Sequence, residues 1–550
     1  MNSWQQNYAG DPILTKDSNL THIQALCLGV AAAVVFTVLA GIHLDGQGVY
    51  YDELHQAPAA FDYLGKHAPI FNYSFHGVPI LNMSYSGAIK SNVYGLYLRY
   101  VNPHFTVYSW RLVGIVSVAI GIFGFFQIAG VSLPLTSGVL FAVLLLSDAS
   151  VILATRHDWG PTALALCFRL AFLAVWLSIE LREPSGLKHF TAGFLVGVAI
   201  FEKLSAVVLL TPFCILLFTS RKRAPRAWIA GVLGILAGAL PLLLVNIGSY
   251  MRSHSFVSLS GLSPERAAVG ARDLLAYAYQ YFALAQGGMA RQLVLGDSPG
   301  SFWPQAEAAL TLLLLVIIAV AAFRSRSTNR LMTLAGIIAA SYLLVGISVF
   351  LLPRDTFVHH WILGTPFHYG AIALALPAFA NPAEHGTRRR AIYRAAFVTA
   401  VAALLAIRLP NVAAVEMSFV SRRSSSLFDP AFTRLAEIAA RSNNAVFISA
   451  DWGTATQVYC AGNGRDDLVY EPFWNSDPAK TVLDITEATK KDNLYILVTG
   501  IAPQFQQASA SVIRSMMNLR NWQEVPVENE FARLAPIQIR KFARRTTLKF

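Results

Sequence analysis

About eleven apolar segments constrain this chain more than any other feature of its sequence. A bilayer core about 30 Å thick is crossed by about 20 helical residues. With 55% hydrophobic and only 13% charged residues, the chain is too apolar for one soluble core. We therefore predict an α-helical polytopic membrane protein, with spans at roughly 22–43, 108–129, 131–147, 161–181, 190–202, 205–220, 227–247, 306–323, 331–352, 361–380 and 391–408.

Short basic clusters between these segments indicate how the chain is oriented. The formal net charge is +12, but clusters of this kind follow the positive-inside rule and do not form a stripe that would bind nucleic acid. Dividing the 190–220 stretch at Glu202–Lys203 into two short helices places the clusters on one, cytoplasmic, side. These clusters are Arg221–Lys222–Arg223 with Arg226, Arg324 with Arg326 and Arg330, and Arg388–Arg389–Arg390.

The opposite, outer side then receives two long loops, 44–107 and 248–305, and the C-terminal part of the chain. From about residue 409 the composition becomes that of a globular domain, with short apolar strands predicted at 445–449, 468–470 and 494–499 and helical stretches between them. We predict a membrane domain over 1–408 and an outer α/β domain over 409–550. That domain has no G-x-G-x-x-G fingerprint and no P-loop, so a cap over the outer face is preferred to a nucleotide site.

Two adjacent acids, Asp52 and Glu53, follow the first span directly. Two acids after a helix are a weak signal alone, because most such loops are simply solvated. The loop that follows is about sixty residues long and rich in aromatic residues and histidine, and long loops of this kind are usually functional. The alternative for the aromatic residues is an interfacial belt.

Several motifs together resemble the GT-C superfamily of integral-membrane glycosyltransferases, in particular the branch of protein O-mannosyltransferases and the lipid A aminoarabinose transferase. The acidic pair is followed by a Tyr-x-Gly-x-x-Lys-like stretch at Tyr85–Lys90, by Asp158 in the next outer loop, and by a Gly-rich helix that ends near Lys203. The stretch departs from the aminoarabinose branch after Lys90, where Ser91 stands in place of a Lys-Pro-Pro continuation. The resemblance implies a GT-C fold and transfer of a sugar from a polyprenyl phosphate.

Such a transfer needs a base for the acceptor proton and cations for the phosphate leaving group. On the resemblance, Asp52 is the expected base, and Glu53 orients it or holds a sugar hydroxyl or a metal. Lys90 and Arg156 are the expected phosphate cations, with Lys203 as a further candidate. The resemblance also places Tyr85 among the substrate-binding residues.

The remaining candidates carry open alternatives. His157 is expected to bind substrate. Asp158 either acts in the cleft, on the acceptor or on His157, or neutralises Arg156, and Lys90 could be a snorkelling surface lysine. His359 and His360 are expected to bind substrate, with interfacial histidines as the alternative; as adjacent residues they make a poor metal pair. No ligand spacing establishes a metal, and a divalent ion stays open as a cofactor. Arg169 lies mid-span without an assigned partner.

The sequence thus predicts a glycosyltransferase that moves a sugar from a polyprenyl-phosphate donor to a lipid, glycan or protein acceptor on the outer face. A non-enzymatic transporter or flippase of such lipids is the alternative. It is less favoured because the ionisable residues gather at outer helix ends. The expected location is a bacterial plasma membrane, with the site on the periplasmic or extracellular side.

Overall fold

The computed structural model describes residues 19–67, 73–220, 225–259, 271–297, 302–324, 329–352, 356–380, 388–450, 453–472, 477–499, 506–534 and 537–545. The basic cluster Arg221–Lys222–Arg223, together with Arg326, lies outside the described residues, as do 260–270 and 298–301 of the second long loop.

Helices make up most of the described chain up to residue 420. In chain order they are α1 (His22–Gly41), α2 (Tyr51–Leu54), α3 (Ile89–Tyr100), α4 (Val107–Ala129), α5 (Leu135–Leu146), α6 (Ala149–His157), α7 (Thr162–Leu181), α8 (Gly186–Glu202), α9 (Leu210–Thr219), α10 (Pro225–Gly238), α11 (Leu240–Ser253), α12 (Ala271–Phe282), α13 (Gly288–Leu295), α14 (Phe302–Arg324), α15 (Arg330–Phe350), α16 (Val358–Trp361), α17 (Phe367–Ala380) and α18 (Arg388–Val420).

The protein is a multi-pass integral membrane protein. Among the described residues, seven helical segments are long and apolar enough to cross a bilayer, and two bent pairs, α5–α6 at 59° and α10–α11 at 65°, bring the total to nine. The two remaining predicted spans correspond to α8, with 17 residues, and to the shorter apolar stretch Leu204–Thr219. The prediction of a polytopic helical fold is confirmed.

The chain differs from the sequence prediction where α5 ends. A span over 131–147 followed by a short loop was expected, but the chain bends and continues as α6 to His157. Asp148 causes this, because its side chain accepts a hydrogen bond from Ser150 N and caps the new helix. Arg156 and His157 therefore lie on a helix whose end points into the outer loops.

Close packing of α8 on α10 fixes the break at residue 203. A Cβ on Gly193 would lie 2.0 Å from the Gly231 oxygen, and one on Gly197 would lie 2.2 Å from the Ile235 oxygen, so the two backbones touch. Small residues permit such contact between membrane helices. Lys203 then adopts an extended conformation, with φ −150°, before a 3-10 turn leads into α9.

The long loop 44–107, which was predicted to lie on the outer side, contains a small antiparallel sheet in the order β1 (Tyr73–Phe75), β2 (Val78–Met83) and β3 (Ser86–Gly87), and a 3-10 segment, Pro58–Leu64. Its apolar side chains share one core with the C-terminal domain. Val49, Leu54 and Phe61 pack in the same cluster as Val458 and Tyr459. The outer loop and the C-terminal domain therefore form one packed unit.

The C-terminal domain is α/β, as predicted. Its helices are α19 (Pro430–Arg441), α20 (Thr454–Ala461), α21 (Pro478–Ala488), α22 (Gln506–Met517) and α23 (Asn529–Ala532). Its strands are β4 (Ala445–Ser449), β5 (Val469–Tyr470), β6 (Asn493–Val498), β7 (Trp522–Val525) and β8 (Gln538–Arg544), in the sheet order β5-β4-β6-β8-β7. The strands β5, β4 and β6 are parallel to one another. The strand β8 pairs antiparallel with β6, and the edge strand β7 pairs antiparallel with β8.

The last membrane helix runs past the predicted domain boundary at 408–409. With 33 residues, α18 is about 50 Å long, which exceeds a hydrocarbon core of about 30 Å. Its end therefore projects beyond the bilayer, and the globular chain begins after Val420.

Candidate functional site

Asp52 lies in α2, just beyond the C-terminal end of α1, and its backbone is fixed from two sides. Its carbonyl oxygen accepts hydrogen bonds from Gly160 N, at 3.0 Å, and from Nδ1 of His55, at 2.8 Å. Its half-buried carboxylate forms no ion pair with any described residue. Burial raises the pKa of Asp52 to about 6, although the charge of Lys203 opposes the shift. Such a carboxylate can accept a proton near neutral pH.

Glu53, in contrast, is fully buried and paired. Arg111 holds it through two hydrogen bonds, from Nε at 2.6 Å and from Nη2 at 2.9 Å. Burial alone would raise the pKa of Glu53, but the attraction of Arg111 outweighs it and holds that pKa below its usual range. The same guanidinium donates to the carbonyl oxygens of Leu44, Gln47 and Gly48. Arg111 therefore ties down the whole turn that presents Asp52.

Lys90 and Asp158 form a second buried pair. Nζ of Lys90 lies 2.5 Å from Oδ2 of Asp158, each side chain is 1% exposed, and the ammonium also sits 3.9 Å from the centre of the Trp110 ring. The other carboxylate oxygen of Asp158 accepts from Ala163 N at 2.8 Å. Asp158 thus neutralises Lys90 and not Arg156, and Lys90 is a buried residue.

Arg156 is engaged with the end of α1. Its two Nη groups donate to the carbonyl oxygens of Ala40, Ile42 and His43 and to Oε1 of Gln47, at 2.9 Å for the last. Next to it, His157 places Nδ1 at 3.7 Å from Oε2 of Glu53. Both residues therefore support the turn between α1 and α2.

The Tyr85–Lys90 stretch is joined to the break after α8. The backbone amide of Leu204 donates a hydrogen bond to the Tyr85 carbonyl oxygen at 3.0 Å, and Ser86 forms a β-bridge with Lys203. A Cβ on Gly87 would lie 2.7 Å from a backbone oxygen of α8, which explains a glycine in this motif. Oε2 of Glu202 accepts from the first amide of α3, at 3.0 Å. Glu202 thereby holds the start of α3, which carries Lys90, against the end of α8, which Lys203 follows.

Lys203 lies within electrostatic range of Asp52. A Cβ on Gly160, which has φ +62°, would lie 2.8 Å from Nζ of Lys203, so glycine leaves the space that the ammonium occupies. Lys203 forms no ion pair with any described residue. Burial lowers the pKa of Lys203 to about 8, and Asp52 and Asp158 oppose the shift.

The two histidines predicted to bind substrate come to this same place. The rings of His359 and His360 lie with their centroids 4.0 Å apart and their planes tilted by 46°, and the charge of Lys203 acts on both rings. Arg169, which the sequence left without a partner, donates from Nε to the Thr365 carbonyl oxygen at 2.6 Å, and its charge also reaches Lys203. Lys203 therefore lies within electrostatic range of two imidazoles and one guanidinium.

Sequence reasoning did not identify Arg111, His55, Gly160 or the capping role of Glu202. Arg111 had a usable signal, because it is a charge in the first turns of an apolar helix, where it must be paired or functional. Gly160 and Glu202 act through contacts between segments about one hundred residues apart.

No group of three or more His, Cys, Asp or Glu side chains in the described part of the chain is arranged to hold a metal ion. At least one carboxylate oxygen of each nearby acid is already bound: Glu53 pairs with Arg111, Asp158 pairs with Lys90, and Glu202 accepts from a backbone amide.

Two solved structures share the fold over nearly their whole length. The crystal structure of ArnT from Cupriavidus metallidurans bound to undecaprenyl phosphate matches with a TM-score of 0.56 and 13% identity, over 94% of this chain and 98% of that chain. The same protein in the apo state matches with a TM-score of 0.54 and 11% identity, over 94% and 97%. No family model and no curated protein sequence matches this chain. The chain therefore shares the fold of ArnT, in agreement with the GT-C-like fold predicted from the sequence.

Proposed function

We propose that this protein is a glycosyltransferase that moves a sugar from a polyprenyl-phosphate donor to an acceptor hydroxyl at the outer membrane face. One observation carries the proposal: the Asp52 carboxylate, which has no ion-pair partner among the described residues, lies within electrostatic range of the Lys203 ammonium, and Gly160 contacts both residues. The shared fold with ArnT, whose crystal structure contains undecaprenyl phosphate, supports the choice of donor. The proposed location is a bacterial plasma membrane with the site facing outward.

In the proposed reaction, Asp52 takes the proton from the acceptor hydroxyl while its oxygen attacks the anomeric carbon of the sugar. The bond between that carbon and the phosphate oxygen breaks, and its electron pair leaves with the polyprenyl phosphate. Lys203 stabilises the negative charge that develops on this oxygen. Attack opposite the leaving group inverts the anomeric configuration.

The other predicted residues take supporting roles in this proposal. Lys90 and Arg156 were expected to contact the phosphate, but their donors are engaged by Asp158 and by the end of α1. We propose that both shape the site, with Glu53 and His157 behind the base. Tyr85, His359 and His360 are proposed to line the donor pocket near Lys203.

Transfer of label tests the function directly. Purified protein would be incubated with radiolabelled polyprenyl-phosphate monosaccharides and a cell-envelope extract as the source of acceptor. We expect label to pass from the lipid to an acceptor. Failure with every donor, together with passage of the intact labelled lipid across vesicles that contain the protein, would contradict transfer and establish a flippase.

The pH profile of transfer should be bell-shaped. Asp52 acts only when ionised, so kcat/KM should fall as pH drops below about 6; Lys203 acts only when protonated, so kcat/KM should fall again above about 8. Because arginine stays protonated, Lys203→Arg should remove the alkaline limb and keep the acid limb. A rate that is constant across both limbs would contradict these assignments.

A further inference from the structure

Residues 46–50 form the turn just before the proposed base, which we call the base turn, and the C-terminal part of the chain binds its backbone. Nε2 of Gln47 donates to the Arg423 carbonyl oxygen at 3.1 Å. The Gly48 amide donates to the Phe428 carbonyl oxygen at 2.8 Å. The base turn is therefore bound by the segment that joins α18 to the C-terminal domain.

The C-terminal domain itself reaches the base turn through Gln457 of α20. Gln457 is 4% exposed, and its Nε2 donates to the Val49 carbonyl oxygen at 2.7 Å. Because a carbonyl oxygen only accepts, the side-chain amide must present its NH2 group to Val49. Oε1 of Gln457 has no hydrogen-bond partner among the described residues. A buried amide with one unpaired end adds little to stability, so its contact with Val49 calls for a reason beyond stability.

The buried ring of Phe428 joins the base turn to the end of α6. Its centroid lies 5.6 Å from the ring centroid of Tyr50 and 4.8 Å from that of His157. Trp159 packs on the same ring at 6.1 Å. Because closely packed side chains resist relative movement, the segment before the C-terminal domain holds the base turn against the end of α6.

We propose that the C-terminal domain positions the base, and that Gln457 is the positioning residue through which it acts. Its bond to Val49 keeps the base turn, and Asp52 after it, in the place that the transfer reaction requires. The inference rests on the proposed function. A base must lie within hydrogen-bond reach of the proton that it takes, and a displacement of about 1 Å can cost about 10²-fold in rate. The domain is thus a working part of the site and more than a cap over it.

Gln457→Met keeps the length of the side chain and removes the donor. We expect kcat for sugar transfer to fall roughly tenfold with little change in the KM for donor, because the base is displaced and the phosphate cation is not. The midpoint of thermal unfolding should change by no more than about 4 °C. Gln457→Asn, whose amide ends one methylene short of Val49, should show the same changes and repeats the test with a polar side chain.

The pH profile separates displacement of the base from loss of folded enzyme. Burial raises the pKa of Asp52 to about 6, and a loosened base turn admits water to this carboxylate. In Gln457→Met the acid limb of kcat/KM should therefore move down, toward the ordinary aspartate value of about 4. The position of this limb does not depend on how much enzyme is folded.

Hydrogen exchange measured by mass spectrometry reads the contact without catalysis. Peptides that cover 46–54 should exchange faster in Gln457→Met than in the wild type, because the bonded Gly48 amide opens more often. The exposed Gln523 of β7 supplies the matched control Gln523→Met. This control should keep the exchange, the kcat and the pH profile of the wild type.

Three results would overturn the positioning role. The first is wild-type exchange at 46–54 in Gln457→Met, and the second is a wild-type kcat despite faster exchange. The third is a loss of kcat in proportion to the loss of folded protein, with the acid limb unmoved, which is what a merely structural glutamine would give. If the wild type transfers no sugar while exchange still rises in Gln457→Met alone, the hold of the domain on the base turn stands and the proposed function fails.

Discussion

Asp52→Asn is expected to lower kcat for sugar transfer by roughly 10²–10⁴-fold, the usual contribution of a general base. The amide matches the carboxylate in size but cannot accept the acceptor proton. Because the Asp52 carboxylate forms no ion pair with a described residue, its replacement should leave the fold and donor binding intact. Initial rates with saturating labelled donor, and thermal unfolding of the same preparation, measure both effects.

Two neighbouring acids provide the controls. Asp45 is exposed on the same loop, so Asp45→Asn should transfer sugar at the wild-type rate. Glu53→Gln should instead destabilise the protein by about 3–5 kcal/mol, because it leaves the buried Arg111 without its partner. An Asp52→Asn variant that transfers label at the wild-type rate would exclude Asp52 as the base.

Lys203→Met is expected to lower kcat/KM for the donor by roughly 10²–10³-fold, the scale for loss of one group that stabilises developing charge. Methionine keeps most of the length and apolar character of the side chain. Lys203 forms no ion pair with any described residue, so this substitution removes no hydrogen-bonded partner from a buried acid. Transfer kinetics at several donor concentrations give the loss.

Lys90→Met separates this effect from a loss of structure. It leaves Asp158 buried and unpaired, so it should cost about 3–5 kcal/mol of folding free energy and reduce the yield of folded protein. The exposed Lys480 of the C-terminal domain supplies a neutral control, Lys480→Met. If Lys203→Met keeps full kcat/KM while Lys90→Met folds normally and loses activity, the phosphate cation is Lys90.

Hydropathy and strand patterning anticipated much of the architecture. The predicted strands at 445–449, 468–470 and 494–499 match β4, β5 and β6 to within a residue. Such patterns are local, because a span or a buried strand must be apolar along its own length. The strand β7 was missed: its four residues, Trp522–Val525, bury only Trp522 and so show little periodicity.

Predictions from local sequence patterns were wrong where a contact with a distant segment determines the structure. The bend at Asp148 turned an expected loop into α6. Arg156 and Lys90 looked like free cations because a sequence does not show that their partners lie 68 to 116 residues away. The pairing of Arg111 with Glu53, 58 residues apart, was hidden for the same reason.

The sequence by itself determined that the chain spans a membrane repeatedly, and that Asp52, Lys90, Asp158 and Lys203 share one side of it, since hydropathy and charge asymmetry set these. Only the tertiary structure decided which charges are neutralised. Arg111 pairs with Glu53 and Lys90 pairs with Asp158, whereas Asp52 and Lys203 have no ion-pair partner among the described residues, and Gly160 contacts both of them. The physical reason is that a buried charge must be matched within a few ångströms, and that distance exists only in the folded chain.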